Sequence, residues 1–373
     1  MRAIVFALFF LSGAAGLAYE TLWARELSLM IGHSARSYAT VIAVFLGGLA
    51  LGNAVLGPLA DRARSRLRLY GWLELAIGLL GLFTPRLLAA VADGYVALAR
   101  AEAFAGPSLF WLRLGLASLT LLPPAVLMGG TLPALTRLIS STLGEIGSAV
   151  SWLYFFNSAG AVLGTLAVGF WMIPAFGLDF SISCVAALNI AIGAVALFLA
   201  PRVREPAPAA ERAESHGGKH PKCAAGGGGR ARLLYAAVFV SGFITLAYEV
   251  AWTRILALVM GSSAYSFSIM LAAFIGGIAL GSLYVALRPP KDPVQLFGLA
   301  EIAVALALVV TLPVYPRLPY LFLRMQNLLV QTPETFYLYQ ALQFGACVLL
   351  TLAPAALIGA TLPLAARAAT DRL

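Results

Sequence analysis

The chain has 373 residues, 61% hydrophobic and 11% charged, with a mean hydropathy of +0.90. Water-soluble domains carry roughly 45–50% apolar and about 25% charged residues, so a globule of this size could not be covered with polar surface and a soluble fold is excluded. The net charge of +9 then reads as a topology signal in lipid rather than as a nucleic-acid footprint, and no nucleic acid is expected as a partner.

Runs of about 20 mostly apolar residues read as membrane helices, because only a helix satisfies its own backbone in hydrocarbon. Ten are predicted, at about 3–24, 37–60, 68–91, 110–136, 148–172, 179–200, 233–255, 264–287, 296–315 and 338–366. The first resembles a signal peptide, with Arg2, an apolar stretch and small residues at Ala14–Ala18. An internal repeat places its equivalent in mid-chain, so it is read as a retained helix. Loops 85–109 and 316–338 are expected to include short amphipathic segments on the outer surface. The basic residues then set the orientation. Seventeen of the 25, including Arg62, Arg64, Arg66 and Arg68, fall on the side of the two termini, which the positive-inside rule assigns to the cytoplasm.

Two segments match at a fixed offset of 229: SGAAGLAYETLWARELSLMIGHSARSYATVIAVFLGGLALGN from Ser12 and SGFITLAYEVAWTRILALVMGSSAYSFSIMLAAFIGGIALGS from Ser241. Of the 42 aligned positions 21 are identical, too many for shared hydrophobicity alone. The match continues, with small slips, through Gly71–Glu74 against Gly298–Glu301, Pro85-Arg86 against Pro316-Arg317, and Pro124–Arg137 against Pro354–Arg367. Six spans precede the second copy, so both copies enter the membrane from the same side, as parallel repeats do. The predicted organisation is a first repeat of six helices over 1–200, a flexible cytoplasmic linker over 201–232, and an incomplete second repeat of four helices over 233–373. The linker is polar, basic and rich in proline and glycine; its four successive glycines follow no strand and precede no Lys-Ser/Thr, so they are not a phosphate loop.

The paired L-A-Y-E-x-x-W-x-R blocks, the G-G-x-A-L-G second span and the G-x-T-L-P-x-x-x-R fourth span resemble one family. It is the membrane portion of bacterial membrane-fused spermidine synthase-like proteins, which have major-facilitator-like repeats. The resemblance implies an all-α integral protein of the bacterial inner membrane with major-facilitator-like packing and a link to polyamines. Members commonly carry a cytoplasmic aminopropyltransferase-like domain; this sequence has no strand-plus-glycine loop for a nucleoside cofactor and no acidic pair behind one. Enzymatic activity is therefore not carried over, and no cofactor is assigned. Gly57-Pro58-Leu59-Ala60-Asp61-Arg62 is similar to the major facilitator loop after the second helix. Gly57, Asp61 and Arg62 are accordingly candidates for a gating loop, against the plainer reading of a basic stop-transfer loop with one capping Asp.

The remaining polar groups are few. Glu20 and Glu249 each lie in a Tyr-Glu-x-x-Trp-x-Arg block. Tyr19 and Trp23, like Tyr248 and Trp252, are four residues apart and share a helix face. Arg25 and Arg254 sit about 140° around the helix from the glutamates, so each carboxylate needs a partner on another element. Two such carboxylates flanked by aromatic rings can grip a polyamine; the plainer reading is of aromatic-belt anchors whose Glu–Arg cross-pairs lock the two halves. Glu74 and Glu301 lie deeper, on the cytoplasmic side of spans three and nine, as candidates for cation or proton handling; the alternative is a structural carboxyl. Gly48-x-x-x-Gly52 and Gly277-x-x-x-Gly281 predict close helix approach. Asn53, Asn157 and Asp179 read as interhelical hydrogen-bond groups. Three cysteines (Cys184, Cys223, Cys347) and three histidines (His33, His216, His220) lack ligand spacing, and no metal site is proposed. The expected partners are the lipid bilayer, a cationic small-molecule solute, and a soluble or membrane protein held at the membrane.

Overall fold

The computed structural model describes residues 2–31, 35–100, 107–140, 142–203, 205, 228–260, 264–328 and 333–370. His33, His216, His220, Cys223 and most of the expected linker lie outside them. Within them the chain is helical: α1 (Arg2–Ile31), α2 (Ala35–Arg62), α3 (Arg66–Arg100), α4 (Pro107–Gly129), α5 (Thr131–Ile139), α6 (Leu143–Ala167), α7 (Ile173–Leu199), α8 (Gly228–Met260), α9 (Ala264–Leu287), α10 (Pro293–Thr311), α11 (Leu318–Leu328) and α12 (Pro333–Thr370). No strand occurs among the described residues.

Nine helical stretches among them are long and apolar enough to cross a membrane. They coincide with the ten predicted spans except that the fifth and sixth run together over Gly144–Arg202, 59 residues. At 1.5 Å per residue that is roughly 90 Å, about three bilayer cores. The run is interrupted by a π-helical turn at Val168–Met172 and by Gly177, whose φ of 79° is one that a glycine adopts without strain. The predicted fourth span is likewise divided, into α4 and α5 at Gly130, whereas its repeat partner α12 continues unbroken. The loop expected after span three is shorter than anticipated, because α3 continues to Arg100 through Pro85.

The helices form two compact units. The first comprises Met1–Ile139 and Trp171–Arg212, hence α1–α5 and α7; the second comprises Ser140–Phe170 and Ala213–Leu373, hence α6 and α8–α12. These units cut the chain along a different line from the sequence repeats, since α6 follows the first copy in sequence but packs with the second.

In the first unit α2 lies against α4, and in the second α9 lies against α12, at backbone distance in both. A Cβ on Gly52 would collide with the Val126 carbonyl, and one on Gly281 with the Ala356 carbonyl. Gly129 against Leu49 and Gly359 against Ile278 make the reciprocal contact. Small residues replace side-chain interdigitation with direct helix contact, the usual source of affinity between apolar helices. Gly-Xaa-Thr-Leu-Pro spans the α4–α5 junction in the first unit and lies within α12 in the second, and each threonine hydroxyl donates back three residues, Thr131 to Met128 O at 2.7 Å and Thr361 to Ile358 O at 2.7 Å.

The third helix of each copy starts at equivalent positions with different caps. At α10, Asp292 accepts from the N–H groups of Val294 and Gln295 at 3.1 and 3.0 Å, a conventional N-cap. At α3 the cap is distant in sequence: Glu205 accepts from the N–H groups of Arg66 and Leu67 and from the Ser65 hydroxyl at 2.5, 3.1 and 2.8 Å. A carboxylate there also complements the positive helix terminus.

In the second unit α6 covers one row of α9. Ala272 and Ala279 are buried and Gly276 lies near Val162. The repeat-equivalent row of α2, Ala43, Gly47 and Ala50, is exposed within the first unit.

Candidate functional site

Each unit holds a Ser–Glu pair built from equivalent repeat positions, fully buried in the first and partly buried in the second. In the first unit Glu74, in the third turn of α3, accepts from the Ser12 hydroxyl of α1 at 2.5 Å and from the Asn189 amide of α7 at 2.5 Å. Glu74 is 0% exposed. In the second unit Glu301, in the third turn of α10, accepts from the Ser241 hydroxyl of α8 at 2.5 Å. Glu301 is only half-buried, and its second oxygen has no partner among the described residues. The asymmetry has a simple origin: α7 supplies Asn189, and no described helix of the second unit stands in its place.

A carboxyl among apolar helices is costly, about 2.5–3.5 kcal/mol for a charged residue at mid-helix on insertion scales. Each hydrogen bond offsets part of that cost and fixes the side-chain geometry. Tyr70 adds a further polar group, its hydroxyl donating to Leu8 O at 3.3 Å. Tyr19 packs its hydroxyl against Gly81, and that oxygen is buried without a hydrogen-bond partner. The first unit thus gathers Ser12, Tyr19, Tyr70, Glu74 and Asn189 between α1, α3 and α7.

The Tyr-Glu-x-x-Trp blocks form a second pair of clusters. Tyr19 and Trp23 stack at 4.9 Å between ring centroids, and Tyr248 and Trp252 at 5.9 Å. Trp23 and Trp252 each meet a phenylalanine edge, Phe45 at 6.2 Å and Phe274 at 5.6 Å, again repeat-equivalent. Glu20 and Glu249 are buried, at 1% and 7% exposure. Tyr154 of α6 packs into the Trp252 cluster.

One difference between these clusters is testable. Trp252 Nε1 donates to the Tyr315 hydroxyl at 2.6 Å, whereas Trp23 Nε1 is buried with no partner. Thr84 occupies the position equivalent to Tyr315 and turns its hydroxyl to Leu80 O. Tyr315→Phe is therefore expected to cost about 1 kcal/mol by stranding the buried indole N–H, while Trp23→Phe loses packing but no hydrogen bond. Thermal midpoints in detergent compare the two; equal shifts for Tyr315→Phe and wild type would remove the bond's significance.

The gating-loop candidates separate. Asp61, in the last turn of α2, pairs with Arg137 Nε of α5 at 2.6 Å. Both side chains are more than a third exposed, so screening limits the pair to at most about 1 kcal/mol. Arg62 is exposed and Gly57 is half-buried in open surroundings. Among the described residues no group of histidine, cysteine, aspartate and glutamate could hold a metal ion.

Sequence reasoning did not single out Ser12, Ser241, Asn189, Tyr70, Tyr154 or Tyr315. The serines carry a readable signal, being identical in both copies at the helix position that meets the aligned glutamate. Asn189 is an isolated amide in the apolar stretch Val185–Ala196.

No family model matches the chain. It is similar to a polyamine aminopropyltransferase of Oceanobacillus iheyensis, 24% identical over 184 residues, which cover 49% of this chain and 33% of that protein. It is also similar to polyamine aminopropyltransferase 2 of Streptomyces coelicolor, 29% identical over 197 residues, covering 52% of this chain and 33% of the relative. About half of the chain is thus related to polyamine aminopropyltransferases. The matched region spans about a third of the length of these curated relatives.

Proposed function

We propose that the chain is a membrane-embedded, transporter-like module that binds or moves a small cationic solute of the polyamine class. It lies in the bacterial cytoplasmic membrane with both termini inside, as two parallel repeats of six and four helices with major-facilitator-like packing. The observation that carries the reading is the pair of repeat-related Ser–Glu bonds, Ser12–Glu74 and Ser241–Glu301, set among apolar helices. A carboxyl retained in such surroundings is a functional group by default, and two of them at equivalent positions suit a cation with spaced amines. The stacked Tyr–Trp pairs beside Glu20 and Glu249 offer cation–π surfaces of matching preference. The relatives named for polyamine chemistry support the solute class.

A second reading is favoured by one observation, the complete burial of Glu74 with both oxygens hydrogen-bonded. A carboxyl so enclosed serves equally well to lock helices, and the chain would then be a non-transporting anchor or assembly subunit for an aminopropyltransferase-type or other protein partner. Spermidine binding and uptake in proteoliposomes separate the two. The transporter reading expects saturable binding by the wild-type protein that falls at least several-fold in Glu74→Gln and in Glu301→Gln. Absence of saturable binding in the wild type leaves the anchor reading.

A further inference from the structure

We propose that the flank of α3 and α7 turned away from α1 is a binding site for an anionic phospholipid. Its phosphate sits between the guanidinium groups of Arg68 and Arg202, and its chains lie along Trp72 and Phe198. The inference requires only that the chain lies in a bilayer and is independent of the solute-binding reading.

The two helices run antiparallel at close range. Gly71 lies against Leu197 and the Gly193 carbonyl, and Gly78 against Ile190 and the Ala186 carbonyl. Arg68 therefore stands level with the tight turn Ala200–Arg202 that prolongs α7. Glu205 fixes the same register, because it caps α3 at Arg66 and Leu67. The flank that each side chain takes follows from helix geometry. Glu74 and Asn189 meet on the side of α1, where Ser12 joins them. At about 100° per residue Trp72 points roughly 160° from Glu74, and Phe198 roughly 180° from Asn189. Both rings thus emerge on the opposite flank, 59% and 64% exposed.

Arg68 shares the helix face of Trp72, four residues on. Arg202 stacks over the Phe198 ring, its Cζ 4.0 Å from the centroid, and donates to Phe198 O at 2.6 Å. Both arginines are exposed, and neither makes an ion pair among the described residues. The neighbouring carboxylate, Glu205, is engaged at the α3 terminus. The guanidinium groups, rather than the helix N–H groups, are what stand open to an anion.

The occupant follows from what the flank presents. Guanidinium groups suit phosphate oxygens through paired N–H donation, and basic residues at a membrane surface favour anionic lipid. Beyond them the exposed surface is apolar, with Leu79 and Val195 at 51% and 44%. Acyl chains would cover it; a free phosphate or an acidic peptide would not. A snorkelling arginine or a belt tryptophan alone is common to spanning helices. Here one guanidinium is already held by stacking and a hydrogen bond, which lowers the ordering cost of binding. The second copy keeps the scaffold without the site: Gly298 and Glu301 match Gly71 and Glu74, whereas Gln295 and Leu299 stand where Arg68 and Trp72 do. A phosphate bridging the two arginines clamps α3 to α7 within about two turns of the Glu74–Asn189 bond.

The test uses the full chain in phosphatidylcholine nanodiscs carrying a trace of photoactivatable phosphatidylglycerol, with adducts mapped by peptide mass spectrometry. A saturable adduct is expected around Trp72 and Phe198, displaced by unlabelled phosphatidylglycerol and not by phosphatidylcholine or inorganic phosphate. Arg68→Gln or Arg202→Gln is expected to weaken it about fivefold, and the two together about 25-fold, at roughly 1 kcal/mol per basic residue. Arg62→Gln with Arg288→Gln, exposed arginines outside this flank, removes the same charge and is expected to leave the adduct as in the wild type. The proposal is overturned by an equally strong adduct with photoactivatable phosphatidylcholine, by displacement with inorganic phosphate, or by equal losses in the two paired variants.

Discussion

Replacing Gly52 or Gly281 by valine is expected to abolish recovery of monodisperse protein, or to lower its thermal midpoint further than any other single change considered. A valine Cβ at either position would occupy the space of a partner-helix carbonyl, Val126 O or Ala356 O. Overpacking of side chain against side chain costs about 1–3 kcal/mol. Here the obstacle is backbone, which cannot rotate aside, so the helices must separate. Separation also parts Gly48 from Ala125, or Gly277 from Ala355. Gly47→Ala is the control: it lies on the same helix as Gly52 with nothing near its built Cβ, and alanine is the better helix former by roughly 1 kcal/mol. Size-exclusion profiles and melting in detergent report the outcome. A Gly52→Val protein with the wild-type profile would mean that α2 and α4 do not meet as described.

The second large effect is expected at Asn189. Asn189→Leu removes the donor to one oxygen of a carboxyl that is 0% exposed, and a buried polar group left without a partner costs about 1–3 kcal/mol. Glu74→Leu combined with Asn189→Leu removes both members and fills the space with aliphatic carbon, an exchange that is often close to neutral. The double variant is therefore expected to melt above the Asn189→Leu single variant. Ser12 is left able to bond its own helix backbone, as Thr21 and Thr84 do. Additive destabilisation across the cycle would show that the two side chains are not energetically coupled.

Much of this architecture is legible in the sequence because it is written twice. The two copies announce each other through Tyr-Glu-x-x-Trp-x-Arg and Gly-Gly-x-Ala-Leu-Gly, and the close approaches at Gly52 and Gly281 follow from glycine spacing alone. The aromatic stacking of Tyr19 on Trp23 follows from helical periodicity. The partners of Glu74 were less accessible. Periodicity says which residues share a face within one helix but not which faces meet, and Ser12 and Asn189 come from two other helices. The place of α6 was not legible at all. Its position after the first copy suggests membership of that copy, and the row it covers on α9, Ala272, Gly276 and Ala279, has an equivalent of the same residue types on α2, Ala43, Gly47 and Ala50, so the residues themselves do not choose between them. The break at Gly177 is equally hidden, since a lone glycine in an apolar run reads the same whether it is helical or left-handed.

The placement of α6 has a consequence for biosynthesis. The ribosome delivers α6 well before α9, and α12 is complete only at Thr370. At about 5–20 residues per second, α6 waits on the order of ten seconds or more for the helices it packs against. The first unit, by contrast, cannot close until α7 has been delivered after α6 has been set aside. The newly made chain thus holds one finished helix in reserve, stripped of its neighbours, while translation continues. Any insertion factor that shelters unpaired helices would find its longest-lived client in the stretch Leu143–Ala167.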